Sequence, residues 1–136
     1  MEQYRLSTDI TVYFVPASSF PDGVLTAHQA LHALVPFTPE RKYFGLSRPE
    51  AGGDIVYMAA AAELYAGEAA AWELPSLVVR AGNYTSVIVQ DYMQDLPAIG
   101  EAFRKLLQDP AIDQQGYCVE WYINDKDVRC MVRLQY

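Results

Sequence analysis

The residues best suited to chemistry lie in one strand-like segment near the end of the chain, residues 116–125. Side chains alternate between the two faces of a strand, so Glu120 and Tyr122 share a face. A carboxylate buried there without a partner would be strongly destabilising. Glu120 is therefore exposed, paired with Arg129, Arg133 or another base, or held for a ligand, and the exposed or paired state is the commoner one.

His28 and His32 have a spacing that suits a metal ion, because they lie one helical turn apart. No HEXXH pattern or nearby cysteine accompanies them, so an exposed or half-buried pair on a helix is the expected arrangement. The sequence also has no Ser-His-Asp set, phosphate-binding glycine loop or dinucleotide fingerprint. We expect no metal and no cofactor.

Cys118 and Cys130 fall on two strand-like runs that a turn centred on Asp125 and Lys126 would join. In that register their side chains point to opposite faces of the hairpin. Their spacing also matches no zinc-binding pattern. We predict two reduced cysteines without a disulfide.

Three further side chains, those of Glu63, Trp72 and Glu73, are weaker candidates for a binding site. Glu63 ends a run of alanines and could face a groove, although a carboxylate at a strand end usually meets water. Trp72 and Glu73 could cover one end of a cleft, but a tryptophan beside a linker more often anchors packing.

Composition limits the class of protein. The chain has 136 residues, 51% of them hydrophobic and 20% charged, which predicts one domain with one core. Its formal charge of -7 argues against a nucleic-acid partner, because such binding depends on clustered Lys and Arg. No leader-like or membrane-spanning run is evident, so we expect a cytoplasmic protein without membrane contact.

The first half of the chain predicts the order strand, helix, strand, strand. Pro16 closes the first strand, Pro36 stops the helix, and a loop over residues 47–53, with Gly52 and Gly53, separates the last two strands. The expected strands are 10–15, 41–46 and 54–62, and the expected helix is 23–35.

The second half repeats that order after a small-residue joint at residues 65–71. Gly82 is expected to adopt a positive φ in a turn, and Asp95 is expected to cap a helix with Pro97 in its first turn. The expected strands are 77–79, 84–90, 117–123 and 128–134, and the expected helix is 95–108.

Two such units predict an α+β fold, in which a twisted antiparallel sheet carries both helices on one side. We expect a single domain over residues 1–136, with repeats at about 8–64 and 72–136 and a ligand groove at their seam. A helix-grip fold is the nearest competitor. It would need a long helix at the end of the chain, where this sequence predicts a strand.

Several short motifs resemble the gyrase-inhibitor-like effector-binding domain, a family built from duplicated strand-helix-strand-strand (SHS2) units. A glycine turn leads into a strand ahead of the second helix, and a glutamate stands two residues before a tyrosine on the penultimate strand. The similar segments are 43–47, 57–59, 81–84, the helix from Asp95, 120–125 and 131–134.

The resemblance implies a groove between the repeats that binds amphipathic, aromatic and often cationic compounds. It assigns the counter-charge to Glu120. It implies aromatic walls at Tyr43, Tyr57, Tyr84, Trp121 and Tyr122. Tyr122 ranks above Trp121, because it shares the face of Glu120.

Many relatives carry a DNA-binding helix-turn-helix before this domain, whereas the first strand expected here begins within about ten residues of the start. The resemblance is therefore to the stand-alone, transcription regulator-like form that binds a small molecule. Two alternatives stay open: a hydrolase of reactive aromatic natural products with Glu120 as general base, and a protein-interaction domain without a ligand. A protein partner is possible, and so is a homo-oligomer.

Overall fold

A computed structural model of the chain describes residues 1–50 and 53–136, so Gly52 of the expected loop lies outside the described residues. Two compact units emerge. We call Asp9–Val79 the first unit, and Met1–Thr8 together with Arg80–Tyr136 the second unit. Each combines antiparallel strands with a packed helix, which confirms the α+β class.

The elements are numbered in chain order. The strands are β1 (Glu2–Leu6), β2 (Ile10–Pro16), β3 (Tyr43–Pro49), β4 (Ile55–Ala62), β5 (Ser76–Val79), β6 (Gly82–Val89), β7 (Cys118–Tyr122) and β8 (Val128–Arg133). The helices are α1 (Val24–Leu34), α2 (Glu68–Ala71) and α3 (Pro97–Leu106), and a 3-10 turn covers Tyr92–Gln94.

In the first unit the strand order is β3-β4-β2-β5, and all neighbouring pairs are antiparallel. Helix α1 packs on β2 and β4 and buries Ala27 and Leu31, which are four residues apart and so share one face. Ala59 and Ala61 of β4 lie on the sheet face that meets α1, where small side chains allow close approach.

In the second unit the strand order is β1-β6-β8-β7, again antiparallel throughout. Helix α3 packs on β6 and β8. The core between helix and sheet includes Ala102, Phe103 and Leu106 from α3, and Val128, Cys130 and Val132 from β8. Burying this apolar set supplies the main driving force for the unit.

Strand β1 was not predicted from the sequence, because its mostly exposed residues lack an apolar run. It pairs with β6, with Tyr4 opposite Tyr84. Arg129 of β8 holds it from the sheet: its guanidinium lies 4.3 Å from the Tyr4 ring centroid and donates to Glu2 at 2.9 Å. Cation-π contact therefore reinforces this edge strand.

Two boundary predictions were wrong, and the predicted joint holds a helix that was not expected. Strand β3 extends to Pro49 because residues 47–49 pair with β4, so the expected loop is shorter than 47–53. The expected joint contains α2, which begins after Gly67 at a φ of 89°. Helix α3 begins at Pro97 without a side-chain cap, and Asp95 instead accepts the Ala98 N–H through its main-chain carbonyl.

The predicted register of the last hairpin was also wrong. Tyr122 pairs with Val128, so the loop has an odd number of residues, and Asn124 Oδ1 accepts two main-chain N–H groups within it at 2.8 Å. Cys130 consequently pairs with Glu120 and lies on the same face as Cys118. The two cysteines do not form a disulfide.

Gly82 adopts a φ of 139°, which confirms the expected positive φ. A Cβ at this position would approach the Arg133 guanidinium to 3.0 Å. That guanidinium donates to the Ala81 carbonyl at 3.0 Å and to Asp113 at 3.3 Å. The glycine thus provides both the backbone conformation and the room for a side-chain bridge.

We expect Gly82→Ala to lower the free energy of unfolding by about 1–3 kcal/mol, because it adds backbone strain and displaces Arg133. Gly100→Ala is the matched control: it lies in α3, where an added methyl group would enter open space, and it should gain up to about 1 kcal/mol in helix propensity. Urea unfolding measures both. Equal effects from the two variants would contradict the assigned role.

Candidate functional site

Glu120 lies on the face of β7 that meets the α3 side of the second unit. It is 9% exposed, and the Tyr122 hydroxyl donates to its Oε1 at 2.5 Å. The two side chains project from the same face because they are two residues apart on one strand. A buried carboxyl group is therefore held by a tyrosine hydroxyl beside it.

Tyr92 brings a second aromatic ring to this cluster from the 3-10 turn. Its ring centroid lies 5.6 Å from that of Tyr122 at an angle of 49°. Burial raises the Tyr92 pKa, and the charges of Glu120 and Asp125 raise it further. Sequence reasoning missed Tyr92, because nothing in its local pattern indicates that it faces the end of β7.

Cys130 lies opposite Glu120 on the same face of the sheet. Burial raises its pKa to about 12, with further contributions from Glu120 and Cys118. A thiol with that pKa is almost entirely protonated at neutral pH, so Cys130 is a packing residue and not a nucleophile.

The arginines considered as partners of Glu120 project from the other face of β8. Arg129 binds Ser86 at 2.7 Å and Glu2 at 2.9 Å, and Arg133 binds Asp113. Arg129 and Arg133 are an odd number of residues from Cys130 along β8, so their side chains point to the face opposite that of Cys130.

Trp121 and Tyr84 lie on that opposite face as well. The Trp121 ring meets Tyr4 edge-on with centroids 5.8 Å apart, and the Tyr84 hydroxyl donates to the Arg80 carbonyl at 2.6 Å. Strand parity separates both side chains from the face of Glu120. Of the aromatic candidates in this unit, the structure brings only Tyr122 beside Glu120.

In the first unit, Tyr57 lies beneath α1 and is 1% exposed. His28 Nε2 lies 2.8 Å from its hydroxyl, and Phe20 stacks on its ring with centroids 5.8 Å apart. The Phe20 ring is 42% exposed. A buried tyrosine is thus tied to a histidine on one side and covered by an exposed phenylalanine on another.

Tyr43 has a similar environment one helical turn further along α1. Phe37, which is 66% exposed, stacks on Tyr43 at 5.1 Å and 15°. His32 contacts the same ring at 5.1 Å, and the Thr38 N–H donates to the Tyr43 hydroxyl at 3.0 Å. We call the six rings the aromatic shelf: Phe20, His28, His32, Phe37, Tyr43 and Tyr57.

Both histidines of the aromatic shelf resist protonation. Burial, followed by the proximity of His32, lowers the His28 pKa to about 4. Burial also lowers the His32 pKa. At neutral pH both histidines are therefore uncharged.

A buried ion pair lies elsewhere in the first unit. Arg41 donates to both carboxylate oxygens of Glu68, at 2.6 and 3.1 Å, and to the Ala62 carbonyl at 3.0 Å. Glu68 also accepts the Leu64 N–H and the Trp72 indole N–H. The pair fixes α2 against the end of β4, and the hydrogen bond from Arg41 lowers the Glu68 pKa.

Two of the weaker candidates, Glu63 and Trp72, make structural hydrogen bonds in this region. Glu63 accepts the Ala69 N–H at 2.9 Å, so it holds the first turn of α2. Next to it lies an open cavity of about 420 Å³, whose walls include charged side chains of both signs, among them Lys42 and Glu40. Such walls do not suit an aromatic ligand.

Potential metal ligands are scattered over the described part of the chain. Within residues 1–50 and 53–136, no three His, Cys, Asp or Glu side chains come together in a way that could hold a metal ion. No helix in the same ranges combines the length and apolarity that crossing a membrane requires.

No family model matches the chain, and no curated protein matches its sequence. Solved structures do resemble it. The integron cassette protein VCH_CASS2 from the mobile metagenome of Vibrio cholerae has a TM-score of 0.68 at 11% identity, over 98% of this chain and 95% of that one. SAV2435, solved with bound tetraphenylphosphonium, has a TM-score of 0.66 at 14% identity, over 97% and 93%.

A hydrolase from Listeria innocua has a TM-score of 0.57 at 9% identity, over 98% of this chain and 91% of that one. These likenesses show the fold. At such low identity they do not transfer an activity.

The pKa of His28 predicts a pH dependence of stability. Unfolding restores its pKa from about 4 to about 6.5, so the unfolded chain binds more protons between these values. The contribution of His28 to the free energy of unfolding is complete above pH 6.5 and is lost as the pH falls towards 4. This loss amounts to at most about 3 kcal/mol.

We expect His28→Gln to unfold in urea with a shallower loss of stability over that pH interval than the unaltered protein. His32→Gln is the matched control on the same helix, where a more exposed ring should contribute less. Identical pH profiles for the unaltered protein and His28→Gln would show that His28 titrates normally in the fold.

Proposed function

We propose that the chain is a gyrase-inhibitor-like small-molecule-binding domain, with its ligand held in a groove between the two repeats. The proposed ligand is an amphipathic aromatic cation. Glu120 serves as its counter-charge, and Tyr122, Tyr57 and Tyr43 serve as aromatic walls. Trp121 and Tyr84 are left out of this revised set, because both project from the other face of their sheet.

The observation that carries the proposal is the buried pair of Glu120 and Tyr122. Their contact at 2.5 Å fixes one carboxylate oxygen of Glu120. The side chain is thus already ordered, so a ligand loses less conformational entropy when it binds there. A cation near a carboxylate of low exposure is attracted more strongly than in bulk water, because the effective dielectric constant is lower. Aromatic faces add cation-π attraction without requiring one ligand shape.

The structural likeness to SAV2435 supports the ligand class. That protein was solved with tetraphenylphosphonium, a cation surrounded by four phenyl rings. The charge and aromatic character of that compound correspond to what Glu120 and nearby tyrosine rings would attract. It is therefore the probe of choice for this chain.

A hydrolase is the second candidate. Glu120 could act as a general base on water while Tyr122 donates a proton, since the two groups are already in contact. The likeness to the Listeria innocua hydrolase gives this option some weight. Mass analysis of a bound compound after long incubation distinguishes the classes: a binding domain leaves it unchanged, whereas an enzyme converts many equivalents.

Replacing Glu120 by glutamine tests the counter-charge role. We expect Glu120→Gln to weaken tetraphenylphosphonium binding by about 1–3 kcal/mol while the affinity for neutral triphenylphosphine oxide changes little. Stability should hold or rise, because the variant no longer buries a carboxylate. Calorimetric titration and thermal melting measure both effects.

Glu101→Gln is the matched control. It removes the same charge from an exposed position on α3 and should leave both affinities unchanged. Equal loss of the cationic and neutral compounds in Glu120→Gln would point to altered groove shape. A lower melting temperature with unchanged ligand preference would make Glu120 a structural residue.

A further inference from the structure

The open cavity of about 420 Å³ lies wholly within the first unit, and we call it the polar cavity. Three segments of the chain form its walls: residues 9–11 at the start of β2, 40–42 before β3, and 62–66 at the end of β4. Its charged walls are three carboxylates and two basic groups: Asp9, Glu40, Glu63, Arg41 and Lys42. The residues proposed to bind the aromatic cation are not among these walls.

Hydrogen bonds join the three segments into a fixed frame. The Ala62 N–H donates to the Lys42 carbonyl at 2.9 Å, and the Glu63 N–H donates to the Thr11 carbonyl at 2.9 Å. Arg41 Nη1 donates to the Ala62 carbonyl as well. The walls are therefore ordered before a ligand arrives, which reduces the conformational entropy lost on binding.

Arg41 has one hydrogen-bond donor that the fold does not use. A guanidinium has five N–H groups, and here Nη1 and Nη2 bind the Glu68 carboxylate and the Ala62 carbonyl. Nε is buried, and it has no hydrogen-bond partner among the described residues. A buried donor without a partner is uncommon and lowers stability. Because Arg41 forms part of the cavity wall, a bound acceptor would supply the missing hydrogen bond.

The remaining edge of the guanidinium suits a carboxylate. Nε–H and the second N–H of Nη2 point in the same direction, so they can bind the two oxygens of one carboxylate side by side. Glu68 occupies the other edge, and the Tyr13 ring centroid lies 5.5 Å from Cζ, so the group is held in place. Because Nε is covered, side chains at the wall shift when a carboxylate reaches it, as is common on binding.

The charges of the walls restrict the ligand further. Three carboxylates outnumber two basic groups, and Glu68 behind Arg41 adds to the negative side. This excess disfavours a simple anion. A simple diamine would satisfy the carboxylates, but it would leave Arg41 Nε without an acceptor. A molecule with one carboxylate and two ammonium groups matches both requirements.

We propose that the polar cavity binds a basic α-amino acid, as a second ligand that is independent of the aromatic cation. The carboxylate of this ligand binds the free edge of Arg41, and its ammonium groups lie against the acidic walls. A cavity of about 420 Å³ has the size of a small-molecule site, and its polar walls suit a small polar compound. L-lysine is the probe.

The test follows the Arg41 Nε–H resonance by NMR while L-lysine is added to the unaltered protein. This resonance should move downfield and saturate, because a hydrogen bond to a carboxylate forms. The Arg133 Nε–H is the internal control: it already donates to the Ala81 carbonyl and should not move. Cadaverine, which is lysine without its carboxylate, should leave the Arg41 resonance in place.

Calorimetric titration compares lysine with two analogues. Cadaverine lacks the carboxylate and should bind about tenfold more weakly or worse, because it makes no hydrogen bond to Arg41. Norleucine lacks the side-chain ammonium group and should bind about twofold to fivefold more weakly, because the acidic walls are partly screened by water. Equal affinity of either analogue and lysine would overturn the proposal.

Two variants test the walls. Glu40→Gln removes an exposed carboxylate of the cavity and should weaken lysine binding about twofold to fivefold, whereas Glu101→Gln, an exposed position on α3, should leave it unchanged. Arg41→Lys keeps a positive charge beside Glu68 but removes the Nε–H edge, and should weaken lysine binding about tenfold or more. If loss of the buried pair prevents Arg41→Lys from folding, the NMR titration of the unaltered protein still decides.

The outcomes also separate this proposal from the proposed function. An Arg41 Nε–H resonance that stays in place at saturating lysine, or moves equally with cadaverine, would overturn the polar cavity as an amino-acid site. Loss of the lysine response in the presence of tetraphenylphosphonium would do the same, because the two ligands would then share one site. Absence of tetraphenylphosphonium binding, with the expected response to lysine, would overturn the proposed function alone.

Discussion

The hydrogen bond from Tyr122 to Glu120 is the contact on which the functional account depends. A carboxyl group with 9% exposure is costly to the folded state unless polar contacts compensate for its lost hydration. The tyrosine hydroxyl supplies one such contact at 2.5 Å. The rest of the second unit keeps this pair in place, because α3 buries the sheet face from which both side chains project.

The two units repeat one arrangement with different chemistry. In each, the connection between the helix and the strand that precedes it supplies an aromatic ring, Phe20 or Tyr92. That ring lies against a tyrosine of the following hairpin, Tyr57 on its second strand or Tyr122 on its first. In each, that tyrosine hydroxyl meets a titratable side chain. The partner is His28 in the first unit and Glu120 in the second, so one unit provides a neutral surface and the other a carboxylate.

The sequence predicted the elements well because their apolar spacing and proline boundaries are local features. Strand parity also placed Glu120 and Tyr122 together, since alternation needs no knowledge of the tertiary structure. The hairpin register was missed, because an odd-length loop held by Asn124 moves Cys130 to the other face. A difference of one residue in the length of the loop decides on which face of the sheet Cys130 lies.

Contacts between distant segments could not be derived from local pattern. Strand β1 is recognisable only through its pairing with β6 and the Arg129 contact to Tyr4. The hydrogen bond between His28 and Tyr57 joins residues 29 positions apart. The sequence therefore presents His28 and Tyr57 as two unrelated candidate residues, whereas the structure brings them together in one cluster. Tertiary packing, and not propensity, assembles the aromatic shelf.

The claim that this site selects for positive charge is tested most directly by two ions of the same shape. Tetraphenylphosphonium and tetraphenylborate both carry four phenyl rings around one atom and differ in the sign of their charge. Their affinities for the unaltered protein should be measured side by side at about 0.5 M salt, where the general surface charge is screened. The account predicts tighter binding of the phosphonium by tenfold or more, about 1.4 kcal/mol. Equal affinity, or preference for the borate, would contradict it.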